Sequence, residues 1–105
     1  MIYAHFFKSE KLYCGFSVSG HAGYAEYGKD IVCAAVTSAV ELTANGITEI
    51  LGLPAQVEVK ENEIRLSLKK EELVAAQPFL KALRLHLSLL SEEFEKTIDL
   101  SEKTV

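Results

Sequence analysis

Residues 30–54 read DIVCAAVTSAVELTANGITEILGLP, and the architecture follows from taking them as one helix between two hairpins. Asp30 suits a helix N-cap, because its short carboxylate can accept N–H groups that a first turn leaves unpaired. From Ile31 onward, Val32, Val36, Ala39, Thr43, Ile47, Ile50 and Leu51 recur at helical spacing, with Ala35 and Val40 beside them. Asn45-Gly46 is a point at which the helix bends or ends early. Gly52 and Pro54 close it: glycine accepts a left-handed turn, and proline cannot continue a helix.

On the N-terminal side, Ile2 to Phe7 reads as a strand rich in β-branched and aromatic residues. Lys8 to Lys11 is a polar turn. Leu12 to Ser19 alternates, with Leu12, Cys14, Phe16 and Val18 on the core side and Tyr13, Gly15, Ser17 and Ser19 on the other. On the C-terminal side, Gln56 to Lys60 and Glu63 to Leu68 form a second hairpin turning at Glu61-Asn62. Val57 and Val59 face inward there, with Ile64, Leu66 and Leu68. A second helix runs from Glu72 to Thr97, with Pro78 in its early turns, where a missing N–H is tolerated. Leu73, Ala76, Leu80, Leu83, Leu87, Leu90 and Phe94 form its apolar seam, and Leu85 and Leu89 form a second patch off it. The order ββαββα predicts an α+β fold: a four-stranded, mostly antiparallel sheet with both helices on one face.

The chain has 105 residues, 49% apolar and 25% charged, which is the balance of one globular domain over residues 1–105. The net charge is −4, and its 11 Lys and Arg do not gather into a stripe, so direct nucleic-acid binding is not expected. The N-terminus lacks a basic region followed by a long apolar run, and no uninterrupted apolar stretch approaches ~18 residues. A cytoplasmic protein that keeps off membranes is the expectation, with Cys14 and Cys33 as reduced thiols.

Between the second strand and the first helix, residues 20–29 hold Gly20, Gly23 and Gly28 without periodicity, the pattern of a loop. His21 stands where the strand ends and Cys33 in the first turn of the helix. A cysteine attacks as the thiolate, which a helix start and a nearby imidazolium both favour. The same imidazole can pass a proton, and the helix-start N–H groups could hold an oxyanion. Against this, a cysteine in Ala-rich helical company is usually a small buried hydrophobe, and the Asp30 carboxylate opposes a thiolate unless it is spent on capping. Cys14 reads as core. His5 and His86 have no second chemical group near them in sequence. No Cys-x-x-Cys or His-x-x-x-His spacing occurs, so neither a metal nor another cofactor is expected. Gly23-x-x-x-x-Gly28-Lys29 approaches a phosphate-binding loop, but Asp30 stands where that loop needs Ser or Thr, and its carboxylate would repel phosphate.

Gly20-His21-Ala22, Gly28 and Asp30-Ile31-Val32-Cys33-Ala34-Ala35 resemble the ribosomal-processing cysteine protease family Prp, over essentially the whole chain. The resemblance implies an endopeptidase that removes the N-terminal extension of a bacterial large-subunit ribosomal protein, number twenty-seven. The family cuts after bulky aromatic residues and before a small one. It implies His21 and Cys33 as the catalytic pair and a homodimer. It also implies a substrate-admitting loop from Ala22 to Lys29, in which Gly23, Tyr24, Tyr27 and Gly28 are the candidate contacts. Asp30 matches a family position as well, there to orient His21 or to cap the helix. Thr37 and Ser38 carry hydroxyls where the family has them, and either could be the counterpart. The reading from another class is a noncatalytic, peptide-binding or ribosome-associated module.

Overall fold

The computed structural model describes residues 1–20 and 30–105. Among the described residues five strands form one sheet: β1 (Ile2–Ser9), β2 (Leu12–Gly20), β3 (Gln56–Lys60), β4 (Glu63–Ser67) and β5 (Ile98–Thr104). Their spatial order is β3-β4-β2-β1-β5. Helix α1 spans Ile31–Asn45, and α2 spans Leu73–Glu93. Both helices pack on the sheet face that carries Ile2, Ala4, Phe6, Phe16 and Leu66. Val32, Val36 and Val40 of α1 and Leu80, Leu83 and Leu87 of α2 complete that core. The α+β class and the two hairpins stand as expected.

The fifth strand corrects the expected four. Helix α2 stops at Glu93, and Lys96 takes a positive φ of 62°, which turns the chain back toward the sheet. β5 then runs parallel to β1, pairing Ile98 with Ile2 and Thr104 with Lys8. Its sequence, IDLSEKT, has only two apolar residues, so no local pattern marks it. Pairing with the open edge of β1 makes it a strand, and that is a tertiary effect.

A bulge in β2 overturns the expected alternation. Phe7 pairs with Gly15 but Lys8 pairs with Tyr13, so Cys14 has no partner on β1. Beyond that extra residue the two faces exchange. Tyr13 enters the core, its ring edge-on to Phe6 with centroids 5.7 Å apart. Cys14 is left half-buried, not a core residue, and its carbonyl accepts the Leu68 N–H at 2.9 Å. Tyr13 is held by Gln77, whose side chain accepts the Tyr13 N–H and donates to the Tyr13 carbonyl.

Helix α1 continues beyond Asn45 as one π-helical turn over Gly46–Ile50. The wider turn advances the helix face, so Ile47 is buried while Ile50 and Leu51, expected in the core, are exposed. Gly46 is where the Phe79 ring of α2 presses on this turn; a Cβ there would overlap the ring. By length and hydropathy, Ile31–Ile50 would also pass for a membrane-crossing helix. Val32, Val36, Val40 and Ile47 are instead used in packing against the sheet and α2.

Candidate active site

Asp30 shapes the start of α1. One oxygen of its carboxylate accepts the N–H groups of Val32 at 3.1 Å and Cys33 at 3.0 Å. Its backbone carbonyl accepts the Ala34 N–H at 3.1 Å. The capping role expected of Asp30 is therefore real geometry. It also narrows the expected oxyanion site: of the N–H groups from Ile31 to Ala34, three point at Asp30. Among the described residues, the Ile31 N–H is the one of these four that Asp30 does not accept.

Cys33 is half-buried one residue beyond Val32, and it lines a cleft of about 280 Å³. The strand side of this cleft comes from Val18, Ser19 and Gly20 at the end of β2, with Ile2 beside them. Thr37 and Glu41 follow Cys33 along the same wall of α1 at steps of four. The far wall is the β3–β4 hairpin, through Val59, Lys60, Glu61, Asn62 and Ile64. The hairpin turn is tied to the site's edge, because the Asn62 carbonyl accepts the Gly20 N–H at 3.0 Å. Gly20 has φ +90° and lies so close to the Met1 carbonyl that a Cβ would collide with it. Only glycine carries β2 out of the sheet at this point.

Glu41 of α1 and Glu61 of the hairpin turn are the acidic residues that border the cleft, while Lys60 and Glu63, paired with each other and with Ser19, turn their side chains to the sheet face away from the helices. Glu63 is already engaged, accepting the Ser17 hydroxyl at 2.8 Å. Cys33 meets this cleft from the first turn of α1, the end at which a helix favours negative charge. Cys14 differs: burial pushes its thiol up, and its own backbone hydrogen bond offsets this in part.

His21, Gly23, Tyr24, Tyr27 and Gly28 lie outside the described residues, as does the rest of the 21–29 segment. Of the expected site, the structure places Cys33 and Asp30 together and puts Gly20, one peptide bond from His21, in the same cleft. It separates the two candidate hydroxyls: Thr37 lines the Cys33 cleft, whereas Ser38 lines a different groove. That groove, about 610 Å³, runs between α1 and α2 and is bordered by Leu42, Phe79, Ala82 and His86. His5 sits on the opposite sheet face, its Nδ1 2.6 Å from the Ser101 hydroxyl. Among the described residues, no three His, Cys, Asp or Glu side chains gather as a metal site. The hairpin wall is the part that sequence reasoning missed. Thr37 and Glu41 were legible, since Cys33, Thr37 and Glu41 share one helix face.

The family model described as cysteine protease Prp matches residues 1–99. The ribosomal processing cysteine protease Prp of Bacillus subtilis (strain 168) is 27% identical over 89 residues, which are 79% of this chain and 80% of that protein. Two similar crystal structures agree on the fold. Prp from S. aureus, in complex with a covalently linked product peptide, superposes with a TM-score of 0.89 at 24% identity, covering 98% of this chain and 100% of that one. SMU.848 from Streptococcus mutans gives 0.86 at 24% identity, covering 100% of this chain and 96% of that one. A family match over nearly the whole length, on a fold that sets a cysteine at a helix start beside a cleft, makes this chain a cysteine protease belonging to the Prp family.

Proposed function

We propose that Cys33 is the nucleophile and His21 the general acid and base of this protease. We further propose that its substrate is the N-terminal extension of large-subunit ribosomal protein number twenty-seven. The observation that carries the reading is the shared cleft: Cys33 and Gly20, the residue before His21, line the same 280 Å³ space. Two relatives add support, since Prp of Bacillus subtilis is a ribosomal processing protease and Prp from S. aureus has been crystallised with a substrate peptide. Membership of a protease family sets aside the noncatalytic module.

The Cys33 thiolate adds to the scissile carbonyl carbon, and the Ile31 N–H meets the developing oxyanion. His21 gives its proton to the leaving nitrogen as the C–N bond breaks. Water, deprotonated by His21, then cleaves the thioester and restores the thiolate. The enzyme works in the cytoplasm as a homodimer. The dimer contact lies on α2, where Leu85 and Leu89 stand exposed by 60% and 52%, beside the α1–α2 groove. Incubation with the extended ribosomal precursor, followed by mass measurement of the products, tests the reaction. One cut that frees the extension is expected, and no cut by Cys33→Ala. An intact precursor, or undiminished cutting by Cys33→Ala, overturns it.

A further inference from the structure

Val57 and Val59 do not take the core positions expected of them. They lie opposite Leu66 and Ile64 across β3–β4, yet Val57 is 38% and Val59 73% exposed. β3 is the edge strand, and all of its residues are exposed. The hydrogen-bond register fixes where the backbone of this edge points. The Gly20 N–H donates to the Asn62 carbonyl, and the Leu68 N–H to the Cys14 carbonyl. The even-numbered residues of this segment therefore bond β2, and its odd-numbered residues bond β3. Those are Glu63, Arg65 and Ser67, which pair with Lys60, Glu58 and Gln56. The N–H and C=O groups of Val57 and Val59 are left aiming off the sheet, on a side where no described strand lies. β3 holds no proline and its register has no bulge, two devices that close an exposed edge.

Resting on the reading of Cys33 as the nucleophile, we infer that β3 is an exosite: an extended segment of the polypeptide substrate, remote from the bond that is cut, adds to it as a further strand. Strand addition needs backbone donors and acceptors on an open edge, and Val57 and Val59 supply both. The occupant follows from continuity with the site. β3 runs directly into the hairpin wall of the cleft that Cys33 lines. That cleft, about 280 Å³, has room for few side chains, so choosing one polypeptide among many needs contacts beyond it. An added strand would lie three strand spacings from β2, whose end borders the cleft. At about 4.8 Å per spacing the separation is about 14 Å. An extended chain covers it in about four or five residues, so one peptide reaches both places. β3 accepts a partner strand of either polarity, and alternate side chains of that partner would cover Val57 and Val59.

The test compares two synthetic peptides of the extended ribosomal precursor, one with about three residues on each side of the cut and one with about ten, enough to span the gap and pair with β3. Wild type should cut the long peptide with a kcat/KM at least about tenfold higher, chiefly through KM, because a remote contact holds ground and transition states alike. Val57→Pro deletes an outward N–H and no β3–β4 bond, and edge strands tolerate such a proline. It should melt near wild type, cut the short peptide equally well and lose the advantage of the long one. Glu58→Pro, which removes a donor to β4, should instead lower the melting temperature. Methylating alternate backbone nitrogens of the long peptide, away from the cut, probes the same bonds with the protein unchanged. Only one of the two alternating registers should remove the advantage. A wild type that cuts both peptides equally overturns the inference, as does a folded Val57→Pro protein that keeps the advantage. If Val57→Pro does not fold, the methylated peptides decide, and no effect in either register overturns it. Cleavage of neither peptide, or undiminished cleavage by Cys33→Ala, is a separate failure, that of the proposed function, and removes the exosite with it.

Discussion

The carboxylate of Asp30 accepts the backbone N–H of Cys33 at 3.0 Å, so the residue that starts the helix also holds its cysteine. The contact has two opposed consequences. It satisfies an orphan donor, and it places a negative group in the turn where a thiolate must form. Asp30→Ala should cost about 1 kcal/mol of stability, the ordinary worth of an N-cap. Asp30→Asn and Asp30→Ser, which still cap, should recover most of it in urea melts. If Asn matches Ala, capping is not the role of this side chain. If Asn is stable but fails to cleave, the charge acts on His21.

Cys33 and Cys14 should separate by reactivity. Burial raises the Cys14 thiol, so near neutral pH it carries little thiolate. Cys33 should react with iodoacetamide much faster than Cys14, and His21→Ala should slow Cys33 alone. Equal, sluggish labelling would remove the imidazole–thiolate pairing.

Glu102 should make stability depend on acid pH. The Tyr13 hydroxyl donates to it at 2.6 Å, and this is the main cause of its lowered pKa. Desolvation opposes that effect, while Arg84 and Lys8, the latter at 3.8 Å, add to it. A depressed folded pKa contributes stability above the unfolded value, about 4.3 for Glu, and that contribution is lost as pH falls through the folded value. Glu102→Gln should therefore melt below wild type at pH 7, and the gap should close as pH drops through about 4 and below. A gap that stays constant across that range would show that the charge is not what holds β5.

Gly46→Ala sets two known effects against each other. Alanine favours a helical position by up to about 1 kcal/mol over glycine. A Cβ at Gly46 would, however, overlap the Phe79 ring, and overpacking costs about 1–3 kcal/mol. The net effect should be destabilising, and Gly46→Ala should be tolerated in a Phe79→Ala background. Additive effects in that double-mutant cycle would deny the contact.

Leu85→Glu and Leu89→Glu should convert a sedimenting dimer to monomer if α2 carries the twofold contact. A monomeric wild type would remove the dimer, and a dimer that survives both changes would move the contact elsewhere.

The sequence by itself determined what depends on near neighbours. Asp30 followed by Val32, Val36 and Val40 writes a capped helix with Cys33 in its first turn. The two hairpins and the α2 seam from Ala76 to Leu90 are equally local. Such signals are caps, turns and spacings that a few residues encode. Only the tertiary structure decided the rest. β5 exists because Ile98 finds Ile2, a pairing across nearly the whole chain that no alternation in IDLSEKT announces. Cys14 left the core because one extra residue in β2 exchanged its faces. Val59 carries a core pattern yet stands exposed on β3, the edge strand of the sheet. A side chain's pattern says which way it points, but what meets it there depends on elements distant in the chain, and that contact turned an apparent core valine into the wall of a cleft.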